Sequence, residues 1–324
     1  MKRLLTTYIL IFFSFALMAQ VRYFDERYTS TMANLYPVLV NPGATGTAGT
    51  HQVIVNYKNK WATFSGAPKT YVVSYDGSVA DRLGLGVSFL SDVNGSLETS
   101  KVQGALSYSI DSPDHKVTGG ISAEYINHGL KDEVLTHNDI VPDGIIDERV
   151  LGNGFFDVSL GMQGIYLGKV KYGIALPSLV SSRVDDNAND QIDREFGFLA
   201  HIGYSYTKEG IDATFEPSLF VKKLNYVPFH ADINLLGRFA DDKFRGGISY
   251  TVDGDKKIGF LVGVNFNALS LNYSYNASRQ EFQTYNNGTH EFSLRFDIGG
   301  TKKDGMDDMM EMPKEELIIE TMNK

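Results

Sequence analysis

The chain has no cysteine. That excludes disulfide staples, thiolate metal sites and a lipid-bearing N-terminal cysteine. Basic residues are also in deficit. Residues 1–19 contain Lys2 and Arg3 and no acid, so without them 28 basic side chains face 39 acidic ones, a formal charge of −11. Such a balance argues against a nucleic-acid partner, which needs a basic face. Past the N-terminus, no stretch approaches the ~20 apolar residues that a spanning helix requires. Enzyme signatures are missing as well: no G-x-S-x-G elbow, no H-E-x-x-H and no phosphate-binding loop. His51, His115, His128, His137, His201, His230 and His290 are scattered. His230 and Asp232 share a strand face, and Ser205 is the serine to weigh with them, but polar residues of a barrel lumen are the simpler reading. No catalytic residue and no cofactor is expected.

What is present begins with an export signal over residues 1–19. Lys2 and Arg3 give a positive start, Leu4 to Met18 an apolar core, and Ala19-Gln20 a cleavage point. Glycine is abundant and proline sparse, 32 against 9, with 18 Tyr and 20 Phe. Fourteen alternating segments follow, near 51–59, 68–77, 83–91, 99–110, 115–127, 154–167, 169–177, 195–207, 210–222, 228–239, 243–252, 256–267, 269–277 and 289–299. In the sixth, Phe156, Val158, Leu160, Met162 and Tyr166 share one face, while Asp157, Ser159, Gly161 and Gln163 share the other. This period of two marks β-strands. A soluble sandwich would alternate too, so the period alone does not choose between them.

Two further features choose a membrane barrel. Tyr75, Tyr108, Tyr166, Tyr206, Phe239, Phe266 and Phe296 each sit on an apolar strand face just before a short turn or the end of the pattern. A row of rings at one end of every second strand is expected where strands meet a bilayer interface. Connections after even-numbered strands are all short, whereas 128–153, 178–194 and 278–288 lie among those after odd-numbered strands. Short turns on one side and long loops on the other is the outer-membrane pattern. Lipid cannot satisfy an unpaired amide, so the sheet must close. The expected fold is all-β: a transmembrane antiparallel barrel of about 14 strands over 51–299, with a hydrated interior. A periplasmic N-terminal segment (20–50) would lead into it and a periplasmic tail (300–324) follow it.

Two loops are acidic. Asp185, Asn187 and Asn189 have the spacing of the first ligands of a Ca²⁺ loop, but Asp190 stands where Gly is expected and Phe196 where Glu is. A solvated surface loop is the alternative. The tail, Lys302 to Lys324, reads either as an unstructured extension or as a docking peptide.

Residues 28–77 carry a recognisable arrangement: Asn41-Pro42-Gly43-Ala44-Thr45-Gly46-Thr47, then Lys58-Asn59-Lys60-Trp61, then Gly66-Ala67-Pro68-Lys69-Thr70. It resembles the PorP/SprF family of the Bacteroidota type IX secretion system. Gly43, Thr45, Lys58 and Lys60 depart from the Ala, aromatic, Arg and Gln usual there. The resemblance implies a non-enzymatic outer-membrane protein of the secretion and gliding machinery. Its implied partners are machinery subunits, secreted cargo such as adhesins, and outer-membrane lipid. The motif residues Asn41, Pro42, Gly43, Gly46, Trp61, Gly66 and Pro68 become candidate partner contacts, with Trp61 alternatively an interfacial anchor. The competing reading is an outer-membrane channel for small or apolar solutes, with residues 20–48 as an inward plug.

Overall fold

A computed structural model describes residues 25–131, 153–184, 197–208, 210–224, 229–252, 256–278 and 287–299. The fourteen strands are β1 His51–Lys60, β2 Lys69–Ala80, β3 Leu83–Asn94, β4 Leu97–Ser112, β5 His115–Leu130, β6 Asn153–Tyr166 and β7 Val170–Arg183. Then come β8 Phe198–Tyr204, continued after Ser205 by Tyr206–Thr207, and β9 Ala213–Lys223, β10 His230–Phe239, β11 Phe244–Val252, β12 Lys257–Phe266, β13 Leu269–Ser278 and β14 Thr289–Ile298. Each strand pairs antiparallel with the next, and β1 closes on β14 in a ten-pair register from His51↔Ile298 to Lys60↔Thr289. No edge is left, which is what a sheet in lipid requires.

The alternation resolves into two faces. Val55, Tyr71, Val73, Val87, Phe89, Leu106, Ile121, Phe260 and Val262 are exposed on the outside. Asn56, Lys58, Thr70, Ser74, Lys101, Ser107, Glu124, Asn272 and Glu291 are buried inside. At the short-turn mouth each turn also ties to its neighbour. Ser109 donates to the Arg82 carbonyl, Leu167 to Asp114, Ser205 to Lys169, Ala240 to Asp212, Asn265 to Lys243 and Asp297 to Ala268.

Strand β7 runs past Pro177, where the pattern had suggested its end. Ser178 takes a left-handed φ of 49° and makes a bulge between Val158 and Leu160 of β6. Its amide donates to Ser159 Oγ at 3.0 Å and its hydroxyl to Asp157 Oδ2 at 2.6 Å. The neighbouring strand thus absorbs the irregularity and pairing resumes.

The larger departure concerns residues 25–50. Expected as a periplasmic lead on the short-turn side, this segment instead threads the barrel. Asp25 and Glu26 lie in the long-loop half, against Lys101 and against Lys58 and Lys60. Thr50 passes into β1 at the short-turn end, where Ile298 also ends β14. The first described residue and the end of the last strand therefore lie toward opposite mouths. A helical turn, Met32–Leu35, and three 3-10 turns, Glu26–Thr29, Pro37–Leu39 and Pro42–Ala44, fold it. Proline opens the latter two, its fixed φ suiting a first helical position.

The interior is accordingly not a uniformly hydrated lumen. Met32, Ala33, Tyr36, Leu39 and Val40 of the segment pack on Ile54, Val72, Leu90, Ala175, Leu199, Phe220 and Leu261 of the wall. This core gives the segment a reason to sit inside, since it buries apolar surface at both partners.

Candidate functional site

The plug that residues 25–50 form is the candidate site, and its two ends are held by different physics. In the short-turn half, backbone meets backbone. Asn41 is buried; its Nδ2 donates to the Met162 carbonyl at 3.1 Å, and its Oδ1 accepts from Gly43 N at 2.9 Å. Pro42 and Gly43 then press into a notch made by Gly120 and Gly161. A Cβ on Gly43 would come within 2.6 Å of Met162 Cα, and one on Gly120 would fall on the Pro42 carbonyl. Two residues further on, Ser107 Oγ donates to the Thr45 carbonyl at 2.6 Å and Gly46 N donates to Asp76 Oδ2 at 2.8 Å. Gly46, at φ 68°, approaches Gly84 so closely that a side chain there would meet its Cα at 2.7 Å.

In the middle, hydrogen bonds orient the apolar turns. Asn272 donates to the Tyr36 hydroxyl at 2.8 Å and Asn34 to Asn234 Oδ1 at 3.1 Å. Glu291, fully buried on β14, accepts from Ser30 Oγ, from Thr31 N at 3.0 Å and from Asn56 of β1 at 3.2 Å. One carboxylate thus ties the plug to both strands of the closing seam.

Charge takes over in the long-loop half. Arg27 pairs with Asp25 at 2.5 Å and Glu124 at 2.6 Å, and Lys101 bridges the same two carboxylates at 2.7 and 3.3 Å. Glu26 receives Lys58 at 2.7 Å and Lys60 at 3.1 Å. Burial opposes ionisation of Asp25 and Glu26. The cations beside them prevail, Arg27 and Lys101 for the first and Lys58 and Lys60 for the second, and hold both carboxyls well below the usual carboxylate range. Lys222 joins from β9, donating to the Tyr28 carbonyl at 2.8 Å while pairing with Asp232.

The motif residues therefore divide. Asn41, Pro42, Gly43 and Gly46 come together on the inner wall. Trp61, Gly66 and Pro68 lie in the β1–β2 connection at the long-loop mouth, where Lys60 N donates to the Pro68 carbonyl and Gly95 N to the Gly66 carbonyl. Lys60 links the groups, since its Nζ sits 4.9 Å from the Trp61 ring centroid while pairing with Glu26.

Six of the seven aromatics of the row lie toward the short-turn ends of their strands, and Tyr75 sits near the middle of β2. Tyr108, Tyr166, Tyr206, Phe239, Phe266 and Phe296 are exposed; Tyr75 is half-buried, its hydroxyl 2.8 Å from His51 Nδ1. A second row was not anticipated. Tyr273↔Phe292, Phe292↔Tyr57 and Tyr57↔Tyr71 are direct cross-strand partners toward the long-loop end of β13, β14, β1 and β2. Its members belong to four strands and align only through register, so no single segment betrays them.

Ser205 donates to Glu216 at 2.7 Å near the short-turn mouth, whereas His230 begins β10 at the other end. The three residues weighed as a triad are not brought together. Asp185, Asn187 and Asn189, the signal segment and the tail lie outside the described residues. Beside the plug remains a cavity of about 180 Å³, bounded by Thr31, Asn34 and Leu35 and by His201, Phe220 and Leu261 of the wall.

A closed antiparallel barrel, apolar outside and polar within, with short turns at one mouth and long connections at the other, defines an outer-membrane β-barrel. The model of the type IX secretion system membrane protein PorP/SprF matches residues 22–296, and the chain belongs to that family. It is a type IX secretion component of the outer membrane. No curated protein matches it. Among solved structures, the outer membrane protein Omp33 of Acinetobacter baumannii is 11% identical, with 78% of this chain and 100% of that one covered and a TM-score of 0.47. A Pseudomonas aeruginosa FadL homologue is 10% identical (80% and 93% covered, TM-score 0.45). The toluene transporter TodX of P. putida is 8% identical (81% and 94% covered, TM-score 0.43). Likenesses this distant carry no inference about what the chain does.

Proposed function

We propose that this protein is a non-enzymatic outer-membrane partner that assists export or surface retention of particular type IX cargo, adhesins among them, rather than the pore they cross. The observation that carries this reading is a lumen filled by the chain's own residues 25–50, packed on an apolar core and locked by buried ion pairs. A polypeptide in transit would have to displace that core. Work is then left to the two mouths. In this reading the short turns and the tail face the periplasmic machinery, the long connections and Trp61 face outward, and the aromatic rows mark the lipid interfaces.

The test is mild-detergent purification of the tagged protein from native outer membranes, with mass spectrometry of what accompanies it. Machinery subunits or a large adhesin should co-purify, and deletion of residues 302–324 should reduce the periplasmic ones. A clean, monodisperse barrel without either would overturn the reading.

A further inference from the structure

The plug's fastenings are unequal along its length. Its foot, Asn41 to Gly46, meets the wall backbone to backbone and has little room to shift, since a Cβ on Gly43 or Gly46 would collide with the wall backbone. Its head, Asp25 to Arg27, is held instead by side chains, through ion pairs to Lys58, Lys60, Lys101 and Glu124. Between head and foot the chain makes single turns, Met32–Leu35 and Pro37–Leu39, joined at Tyr36, where φ is −126° and ψ 78°. Alongside that jointed stretch lies the 180 Å³ cavity, with Thr31, Asn34, Leu35 and Pro37 on one side and β6–β12 on the other. A rigid foot, a jointed middle, a charge-held head and adjacent empty volume are the parts of a gate.

We propose that Asp25, Glu26 and Arg27 form a charge latch that keeps the barrel shut at its long-loop mouth, and that its release lets residues 25–31 lift from the wall, while Met32 and the core stay in place, and opens an ion path past the plug through the cavity. The foot stays wedged throughout, so the plug hinges rather than leaves. Lys60 is the element of the latch that the outside can reach: it is the least buried of the latch cations, and its ammonium also lies over Trp61. Whatever engages the Trp61 loop therefore competes for a group that holds Glu26.

Single-channel recording of the purified full-length barrel in planar bilayers tests this at ordinary salt. The native protein should be closed almost throughout. Lys58→Gln with Lys60→Gln should raise the open fraction at least tenfold, and Lys60→Gln alone should raise it less. Since the chain has no cysteine, the gate can be locked chemically. Thr31 Oγ1 lies 3.0 Å from Asn276 Oδ1, so Thr31→Cys with Asn276→Cys, joined by a short reducible bismaleimide, should silence the latch variant until reductant is added. A native barrel that conducts steadily would overturn the proposal. So would latch variants that keep the gel shift of a folded barrel yet stay silent, or openings that persist through the cross-link. Should the double variant not fold, Lys60→Gln decides by the same criteria. None of these readouts needs the secretion machinery, so the partner role proposed above stands or falls separately.

Discussion

Gly120 and Gly161 face the lumen where Asn41, Pro42 and Gly43 press on the wall. A methyl group at either would force the plug away, and overpacking of this kind costs about 1–3 kcal/mol. Gly161→Ala should therefore lower the temperature at which the barrel loses its folded gel mobility. Gly104 and Gly119 supply the control, since a Cβ there meets open space and alanine restricts the unfolded chain. Equal losses at both pairs would remove the wedge account. Charge is tested at Glu26. Glu26→Gln leaves Lys58 and Lys60 buried without their counter-charge, and breaking such a pair costs about 3–5 kcal/mol. The pH dependence follows from the sign of the shift. Glu26 has a folded pKa below its unfolded value, so its contribution is complete above about pH 5 and fades only as pH falls through the lowered value. The stability gap between native protein and Glu26→Gln should hold from pH 8 to pH 5 and shrink only in stronger acid. A gap that closed by pH 5 would mean that Glu26 is not held by its lysines.

Among the elements, the β10–β11 turn stands out because Ala240, Asp241 and Asp242 all have left-handed φ, 55°, 53° and 60°. Each such non-glycine residue costs roughly 1 kcal/mol, and outside contacts hold the turn in place. Asp212 accepts from Ala240 N and Asp241 N, Arg245 grips Asp242 at 2.6 and 3.0 Å, and Asn265 donates to the Asp242 carbonyl. Asp241→Gly keeps the backbone bond to Asp212 and removes one penalty. It should raise the urea midpoint of unfolding by an amount equivalent to about 1 kcal/mol; an unchanged or lower midpoint would show that the aspartate side chain matters more than the strain. Elements of this chain were otherwise legible. All fourteen strands were expected, since alternation in Phe156 to Tyr166 or Phe229 to Phe239 is a local signal that lipid enforces on every strand. The β7 bulge was not, because the left-handed turn at Ser178 is stabilised by Ser159 and Asp157 of another strand. Nor was the break at Ser205, whose hydroxyl is drawn to Glu216 of β9.

For the whole molecule, the closed barrel could be read from the sequence and the plug only as one option within a channel. Its evidence is non-local: Asp25, Glu26 and Arg27 look like any charged lead until Lys58, Lys101 and Glu124 are brought beside them. A signal existed all the same. Ile54, Val72 and Leu90 interrupt otherwise polar inner faces, and Val72 and Leu90 are direct register partners. Three inward apolar residues on adjacent strands want a core, and Met32, Tyr36 and Leu39 supply it. The path of the plug then makes a claim about sidedness. With the long connections outside, as proposed above, the head at Asp25 points outward while β14 ends at the inner mouth, and the expected outcome is that residues flanking the two lie on opposite sides of the membrane. An epitope inserted at position 142, within a long connection, should be labelled on intact cells. One at position 22, a few residues before the latch, should be labelled on intact cells too. An epitope after Lys324 should be reached only once the outer membrane is permeabilised. Labelling of the C-terminus but not of position 142 would invert the barrel. Labelling of position 142 alone, with position 22 reached only after permeabilisation, would mean that the segment before Asp25 turns back from the mouth that the plug approaches.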